Sequence, residues 1–211
     1  MQRARFITFE GGEGAGKTTQ MQRLASRLGG VVGEVVTTRE PGGSTGAEQI
    51  RNLLVNGPPE RWSAETETLL MYAARRDHIE RFIEPALRHG AWVLCDRFHD
   101  STRAYQGAAG GASAALIDAL EHNVLGGLKP DLTLILDLPV DIGLGRASKR
   151  ADGEERFEAK GHEFHERLRE AFKLIARKDQ DRCCLIDAEG PPDVIEARVW
   201  AAVQERLGLT A

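Results

Sequence analysis

The chain has few cysteines, no surplus of positive charge and no long apolar run. Its three cysteines, Cys95, Cys183 and Cys184, form neither a disulfide framework nor a C-x2-C metal pair. Cys95 ends an apolar run, as a buried side chain would, and this sparse use of cysteine fits a reducing compartment. No window reaches the roughly 20 apolar residues that a membrane span needs, and no long apolar leader precedes the first strand-like run. We therefore expect a cytoplasmic protein that has no membrane partner.

The charge balance excludes a further class of partner. The 28 Lys and Arg residues are outnumbered by 32 Asp and Glu residues, which gives a net charge of −4. No basic field therefore attracts nucleic acid, and we expect no nucleic-acid partner. The 211 residues, 41% of them apolar, are enough for one large domain. No linker-like segment or internal repeat divides them, so we expect one domain over 1–211.

Short apolar runs alternate with helical patterns, which is typical of a parallel α/β sheet. Several runs are almost continuously apolar, as in strands covered on both faces. Predicted strands span 4–9, 32–37, 91–95, 132–136 and 183–187. Predicted helices span 18–28, 45–55, 64–88, 114–125, 141–149, 161–178 and 192–206. Ligands of such sheets bind at the carboxyl ends of the strands, so chemistry is expected in the loops 10–17, 38–43, 96–106, 137–140 and 188–191.

The most informative segment, EGGEGAGKTTQ over 10–20, contains the phosphate-loop pattern G-x-x-x-x-G-K-[ST] between a strand-like run and a helical pattern. Its glycines let backbone N–H groups surround a phosphate, and the helix N-terminus attracts the same anion. Lys17 supplies a mobile charge for the β- and γ-phosphates, and the Thr18 hydroxyl can bind Mg²⁺. An ordinary glycine-rich turn is the alternative. We predict that a nucleoside triphosphate is bound by Gly11, Gly12, Glu13, Gly14, Ala15, Gly16, Lys17, Thr18 and Thr19.

Charged residues follow three other predicted strands. The segment TREPGG over 38–43 places a cation and a carboxylate beside a rigid turn, with a surface ion pair as the alternative. Asp96, at a strand tip, is placed to hold Mg²⁺ through water or to orient an attacking oxygen. Arg97 can grip a phosphate with two hydrogen bonds, although an Asp–Arg pair that caps the next helix is also open. Asp137 fits a turn, and Asp141 fits a helix N-cap.

Two helical segments carry arginines that need an explanation. Met71, Arg75, Ile79 and Phe82 share one helix face by their spacing, and a guanidinium buried there needs a partner. A ligand contact is our preferred role for Arg75, and an internal salt bridge is the alternative. The charged segment 146–160 is either a solvated loop or a mobile lid whose arginines close over the nucleotide and exclude water.

Four segments in this order and spacing resemble the thymidylate kinases, in their bacterial type: FEGGEGAGKTTQ, TREPGG, DRFHDSTRAYQG and LDLPVDIGLGRASKR. The resemblance runs from residue 6 to about residue 170, and the remaining residues match only in general pattern. It implies a three-layer P-loop NTPase fold of the nucleoside monophosphate kinases, a five-stranded parallel sheet with helices on both faces and a lid. It also implies a homodimer that moves the γ-phosphoryl of ATP–Mg²⁺ to dTMP, giving dTDP and ADP for dTTP biosynthesis.

The resemblance further implies roles for single residues. Glu13 matches the carboxylate directed at the deoxyribose 3′-OH, Arg39 and Arg97 match arginines at the acceptor phosphate, and Asp96 lies near the metal. Tyr105 matches a bulky ring that crowds a 2′-OH. The thymine base and the sugar are then lined by Met71, Arg75, Ser101, Thr102, Tyr105 and Gln106.

The chain departs from the family pattern at three places. Met71 stands where many members have Phe, so a softer sulfur contact replaces base stacking. Phe98 replaces the tyrosine of DRY and keeps the ring. Gly14 stands where some members carry an arginine. Without that arginine, the resemblance implies that arginines of the lid stabilise the negative charge of the transition state. The candidate lid arginines are Arg146, Arg150 and Arg156, which with Lys17, Asp96 and Arg97 complete the expected catalytic groups.

The expected nucleophile is an acceptor phosphate oxygen that is already ionised, so no general base is assigned. A kinase of the same superfamily that acts on another nucleotide or on a nucleoside is the alternative enzyme. A P-loop switch protein is the alternative from another class, and the absence of an N-K-x-D motif argues against it.

Overall fold

A computed structural model of the chain describes residues 3–149 and 155–209. Five parallel strands form one sheet in the order β2-β3-β1-β4-β5, which confirms the expected α/β class and the number of strands. They are β1 (Phe6–Gly11), β2 (Val35–Arg39), β3 (Trp92–Asp96), β4 (Leu132–Asp137) and β5 (Cys183–Asp187).

Helices fill the connections between the strands. They are α1 (Lys17–Gly29), α2 (Thr45–Val55), α3 (Ala64–His78), α4 (Glu84–Arg88), α5 (His99–Thr102), α6 (Ala114–Leu125), α7 (Val140–Ala147), α8 (Glu155–Glu158), α9 (His162–Lys178) and α10 (Pro192–Leu207). A π-helical segment, Ile79–Ile83, joins α3 to α4, and a second one, Arg103–Ala109, extends α5. Among these helices, none combines the length and the apolar character that crossing a lipid bilayer requires.

Two expectations about the elements were wrong. The segment 96–106, expected to be a loop, is mostly helical, because the chain turns into α5 at once after the tip of β3. Strand β2 begins at Val35 rather than at residue 32 and is largely solvent-accessible, so its burial pattern differs from that of the inner strands.

Alternation along the strands builds a separate core on each face of the sheet. Ile7 and Phe9 of β1 pack in one core with residues of α1 and α10 such as Leu24 and Val199. Phe6 points to the other face, where it packs with the π-helical segment Ile79–Ile83. Each face of the sheet is thus covered by helices, as the near-continuous apolar runs predict.

A buried polar layer interrupts the second core beneath α5. Thr8 and Thr133 hydrogen-bond across β1 and β4, with 2.8 Å between their hydroxyl oxygens. Arg182 reaches into this layer and donates to both carboxylate oxygens of Asp100 at 2.6 and 3.1 Å. Asp100 is 1% exposed, so this bidentate pair anchors α5 on the sheet.

The topology brings three strand ends to one edge. Phe9 of β1 and Arg39 of β2 are both register partners of Asp96, the last residue of β3. The loops that follow β1, β2 and β3 therefore open side by side, and the charged residues expected in them share one cleft.

Candidate active site

The loop between β1 and α1 has the backbone of a phosphate-binding loop. Gly11, Gly14 and Gly16 have φ values of 133°, 65° and 89°, a region that side chains disfavour. Lys17, the first residue of α1, folds back over the loop, and its Nζ donates to the carbonyl oxygens of Gly11 at 3.2 Å and Gly12 at 2.8 Å. The loop is therefore preformed around its lysine.

The Lys17 ammonium occupies an unfavourable position in the absence of an anion. Burial lowers its pKa to about 8, and the nearby Arg97 charge acts in the same direction, against Asp96 and Glu13. A phosphate bound in the loop would supply the negative charge that this buried ammonium favours.

Helix α7 closes off one side of the phosphate loop through a backbone contact. A Cβ on Gly14 would lie 2.0 Å from the carbonyl oxygen of Gly143, and a Cβ on Gly143 would lie 2.5 Å from that of Glu13. Both distances are shorter than real Cβ contacts allow. An arginine in place of Gly14 would require α7 to shift, so its absence here is part of the packing.

The tip of β3 brings two oxygen ligands together at the start of α1. The Thr18 hydroxyl donates to Asp96 Oδ2 over 2.5 Å. Within 3–149 and 155–209, no cluster of three or more His, Cys, Asp or Glu side chains forms a metal cage. A hydroxyl beside a carboxylate fits Mg²⁺, which binds few protein oxygens and keeps waters and substrate phosphates as its other ligands.

Arg97 bridges the phosphate loop and helix α5. Its Nη1 donates to Gly11 O at 2.9 Å and to Ser101 Oγ at 3.3 Å, and its Nη2 donates to Glu13 Oε1 at 3.2 Å. With φ of 71°, it is the one non-glycine residue of the described chain in the left-handed region. An arginine held in this conformation next to the phosphate loop indicates a functional constraint.

Glu13 links the phosphate loop to Tyr105. Burial would raise its pKa, but Arg97 and Lys17 outweigh burial and lower the pKa to about 2. The Tyr105 hydroxyl donates to Glu13 Oε1 at 2.6 Å, and the tyrosine ring stacks under the Arg97 guanidinium at 4.7 Å. Glu13 therefore stays ionised between two cations and a phenol.

Arg75 has the internal salt bridge that its position left open. It is 2% exposed, and its Nε donates to Glu40 Oε2 at 2.7 Å. Its Nη2 donates to Phe98 O at 3.1 Å, and both Nη atoms lie 3.1 Å from Thr102 Oγ1. Arg75 nevertheless also lines the open cleft, so the salt bridge orients the guanidinium without withdrawing it from the cleft wall.

The cleft between these elements measures about 310 Å³. Arg39 lies at the rim of the cleft with its side chain about half exposed. Its Nη2 lies 3.1 Å from Glu48 Oε2, which is the surface ion pair that was the alternative for the TREPGG segment. The structure brings together every residue expected at the acceptor, as well as the expected metal ligands. The lining includes Glu13, Lys17, Thr18, Arg39, Met71, Arg75, Asp96, Arg97, Ser101, Thr102, Tyr105 and Gln106.

Of the lid arginines, Arg156 has contacts that place it away from the phosphate loop. Arg156 of α8 is 3% exposed, pairs with Glu67 Oε2 at 2.5 Å and donates to the carbonyl oxygen of Leu54 at 2.9 Å. Arg146 lies at the last turn of α7. Arg150 lies outside the described residues. In this arrangement, Arg156 ties α8 to α2 and α3 and does not line the cleft.

The alternatives for Asp137 and Asp141 are resolved by their contacts. Asp137 accepts two hydrogen bonds from Arg169, at 2.6 and 3.0 Å, so it has a structural partner on α9. The expected N-cap role of Asp141 was wrong, because α7 begins one residue earlier and Pro139 occupies the N-cap position. Asp141 instead accepts from His162 at 3.0 Å.

Other cleft residues gave little or no signal in the sequence. Glu40 carries the salt bridge of Arg75, and its other oxygen lies 3.0 Å from Nδ1 of buried His78. Arg51 reaches the cleft from α2 and donates to Pro41 O at 2.6 Å. On its own helix, Arg51 follows the pattern of any surface arginine, so only the tertiary structure reveals its position.

The sheet order, the phosphate loop and the adjoining cleft define a P-loop nucleoside monophosphate kinase. The family model for thymidylate kinase matches residues 9–199. The chain is 63% identical over 204 residues to thymidylate kinase of Caulobacter vibrioides, covering 97% of this chain and 98% of the relative. It is 55% identical over 207 residues to that of Bradyrhizobium diazoefficiens, covering 97% and 91%.

A solved structure agrees with these sequence relationships. The crystal structure of thymidylate kinase from Ehrlichia chaffeensis matches with a TM-score of 0.79 at 36% identity, over 96% of this chain and 100% of that one. The chain belongs to the thymidylate kinase family. It is an ATP:dTMP phosphotransferase that acts in nucleotide biosynthesis.

The contact between α7 and the phosphate loop gives a first prediction. Replacement Gly143→Ala places a methyl group against the Glu13 carbonyl and should raise the KM for ATP by roughly tenfold, because the loop must shift. Gly145→Ala is the matched control, since a Cβ there meets nothing within 4 Å. It should leave the KM unchanged and slightly stabilise α7. Steady-state kinetics at saturating dTMP measure both, and equal KM values for the two variants would contradict the prediction.

Proposed function

We propose that the two substrates meet over the carboxyl edge of the sheet, with ATP in the phosphate loop and dTMP in the adjoining cleft. The single observation that carries this arrangement is the continuity of the cleft from Lys17 and Thr18 to Arg75 and Gln106. One end offers the donors that a triphosphate requires. The other end offers arginines, hydroxyls and an amide, which suit a nucleotide phosphate, a sugar and a base.

Each residue that lines the dTMP end of the cleft has one proposed role. Arg97 and Arg39 bind the acceptor phosphate, Glu13 accepts from the 3′-hydroxyl, and Tyr105 crowds the 2′ position. Arg75, which Glu40 holds in place, contacts the base. The sulfur of Met71 and the side chains of Ser101, Thr102 and Gln106 complete the base and sugar walls.

Mg²⁺ is the cofactor that we assign to Thr18 and Asp96. The support is the 2.5 Å contact between their oxygens beside the phosphate loop. When bound there, the ion would neutralise charge on the ATP phosphates.

Transfer itself requires positioning and charge neutralisation more than covalent chemistry. The acceptor phosphate oxygen is ionised at neutral pH, so no side chain has to remove a proton. Lys17, Arg97 and Arg39 bring two mutually repelling anions together. Ionised Glu13 holds Arg97 in place beside the phosphate loop.

The segment 146–160 is proposed as a lid that closes over ATP and supplies transition-state charge through Arg146, Arg150 or Arg156. For Arg156 to act there, its ion pair with Glu67 has to open, because that pair lies outside the cleft. We further propose a cytoplasmic homodimer that uses α2 and α3. Leu53 and Leu69 are exposed on these two neighbouring helices, which supports that surface.

The triphosphate role of Lys17 is testable by Lys17→Met. The variant should lose about 100-fold or more in kcat, because a charge aimed at the transferred phosphoryl group is removed. Its free energy of unfolding should not fall, since burial already disfavours the ammonium. Lys173→Met, at a surface pair with Glu170, is the control. Coupled ADP release with and without dTMP measures activity, and near-normal turnover would refute the role.

The sugar preference is testable at Tyr105. Tyr105→Ala should lower the ratio of kcat/KM for dUMP over UMP by roughly tenfold, because the ring that crowds a 2′-hydroxyl is gone. Tyr105→Phe keeps the ring, loses the hydroxyl that bonds Glu13 and should retain most of the discrimination. An unchanged ratio in the alanine variant would count against this role.

The lid role is testable at Arg156. Arg156→Ala should lower kcat by about tenfold or more with a smaller change in the KM for dTMP, as expected for a group that acts in the transition state. Glu67→Gln removes the partner of Arg156 and keeps the guanidinium, so it should not reproduce the loss of kcat. If both variants lose stability and turnover equally, Arg156 serves only to fasten α8.

A further inference from the structure

Glu10 is a buried carboxylate that the mechanism does not use. It lies near the end of β1, one residue before the phosphate loop, and is 0% exposed. Its Oε1 accepts the backbone N–H of Phe98 at 2.8 Å, and its Oε2 accepts the Ser101 hydroxyl at 2.5 Å. Phe98 lies in the turn that follows β3 and Ser101 lies in α5, so Glu10 joins β1 to the segment 97–101 that borders the cleft.

This carboxylate lies in an unfavourable environment. Among the described residues, no lysine or arginine donates a hydrogen bond to it. Burial, and after it the neighbouring Asp100 carboxylate, raise the pKa of Glu10 to about 8, whereas the hydrogen bonds from Ser101 and Phe98 and the Arg97 charge act in the opposite direction. An apolar residue would avoid this penalty, which suggests that the two hydrogen bonds serve a purpose other than stability.

The turn that Glu10 holds contains the strained residue of the site. Arg97, with φ of 71°, donates its N–H to Phe9 O at 2.8 Å, and the next N–H, of Phe98, goes to Glu10. The carbonyl oxygen of Arg97 accepts a hydrogen bond from the Cys95 Sγ–H at 3.0 Å. A left-handed arginine is strained and persists only where its surroundings fix it. Glu10 and Cys95 supply the side-chain part of that fixation.

The position of this segment determines where the Arg97 guanidinium and the Ser101 hydroxyl lie in the cleft. With the backbone fixed, the Arg97 guanidinium reaches Gly11 O and Glu13, and Ser101 lies 3.3 Å from Arg97 Nη1. The Ser101 hydroxyl is thereby held on one side by Glu10 and on the other by Arg97. Removal of the Glu10 acceptors would free the backbone and the hydroxyl together.

We propose that Glu10 is a positioning residue for phosphoryl transfer, which fixes the turn 97–101 so that Arg97 and Ser101 keep their places at the acceptor. This inference rests on the acceptor role of Arg97 proposed above.

The test compares two substitutions of nearly equal size. Glu10→Met keeps the volume without acceptors and should lower kcat/KM for dTMP about 10- to 100-fold, the usual effect of a displacement of about 1 Å. The KM for ATP should stay within about twofold, because Lys17 is held by backbone carbonyls. Glu10→Gln can accept from Phe98 and donate to Ser101, so it should restore activity to within about threefold of the parent.

Thr8→Val is the matched structural control. Thr8 lies on the same strand and the same face, is equally buried, and hydrogen-bonds Thr133 rather than any residue of the segment 97–101. This variant should lower the denaturation midpoint and leave kcat/KM for dTMP, per folded molecule, unchanged. If Glu10→Met does not fold, Glu10→Asp, whose shorter side chain cannot reach both donors, replaces it with the same expected loss.

A double-substitution cycle with Arg97→Ala separates this inference from the proposed role of Arg97. If Glu10 acts through Arg97, adding Glu10→Met to Arg97→Ala should change kcat/KM less than about twofold. Full additivity, a Glu10→Met variant with parental kcat/KM, or equal losses in the Met and Gln variants would overturn the inference while the role of Arg97 stands. If Arg97→Ala alone loses no activity, the proposed role of Arg97 fails, and this inference fails with it.

Discussion

The central constraint on this structure is that cations must be gathered before the anions they serve arrive. Lys17 and Arg97 share one cleft, and their mutual repulsion in a partly buried site is strong. The lowered pKa of Lys17 reflects both burial and that repulsion. Carboxylates make the arrangement stable in the absence of substrate: Glu13 pairs with Arg97, and Glu40 pairs with Arg75. Each of these carboxylates also lines the cleft, so the same groups balance the charge and form part of the cleft wall.

Backbone geometry determines where those charges can be placed. Because β1, β2 and β3 are neighbours, the loops after them open at one edge of the sheet. Gly14 and Gly143 let α7 approach the phosphate loop closely, and the left-handed Arg97 lets the chain reverse into α5. Small departures from ordinary backbone geometry therefore place the charged groups, and packing fixes them there.

Much of this could be predicted from the sequence, because the informative features are local. The phosphate loop has a fixed spacing, and the inner strands are continuous apolar runs. The helix after Asp96 was missed, since RAYQGAAGG resembles a glycine-rich loop and its π-helical turn depends on tertiary packing. The misfit of Arg75 on an apolar face predicted a partner, but Glu40 lies 35 positions away, and no local pattern links the two residues. Glu10 was expected in the loop 10–17 and lies instead at a buried position of β1, because burial cannot be recognised from a motif.

The carboxylates of the site differ in the group that each one contacts and in whether a substrate in the cleft could reach that contact. Glu13 and Glu40 face the cleft, so an arriving phosphate or hydroxyl can share their cations without moving the backbone. Glu67 holds Arg156 outside the cleft together with backbone carbonyls, so that cation is available to a nucleotide only if α8 moves. Among the residues that the structure describes, no cation donates a hydrogen bond to Glu10, which accepts one from the backbone at Phe98 instead. The site thus separates ion pairs that border the cleft, where a substrate could compete for the cation, from a hydrogen bond that fixes the backbone at Phe98.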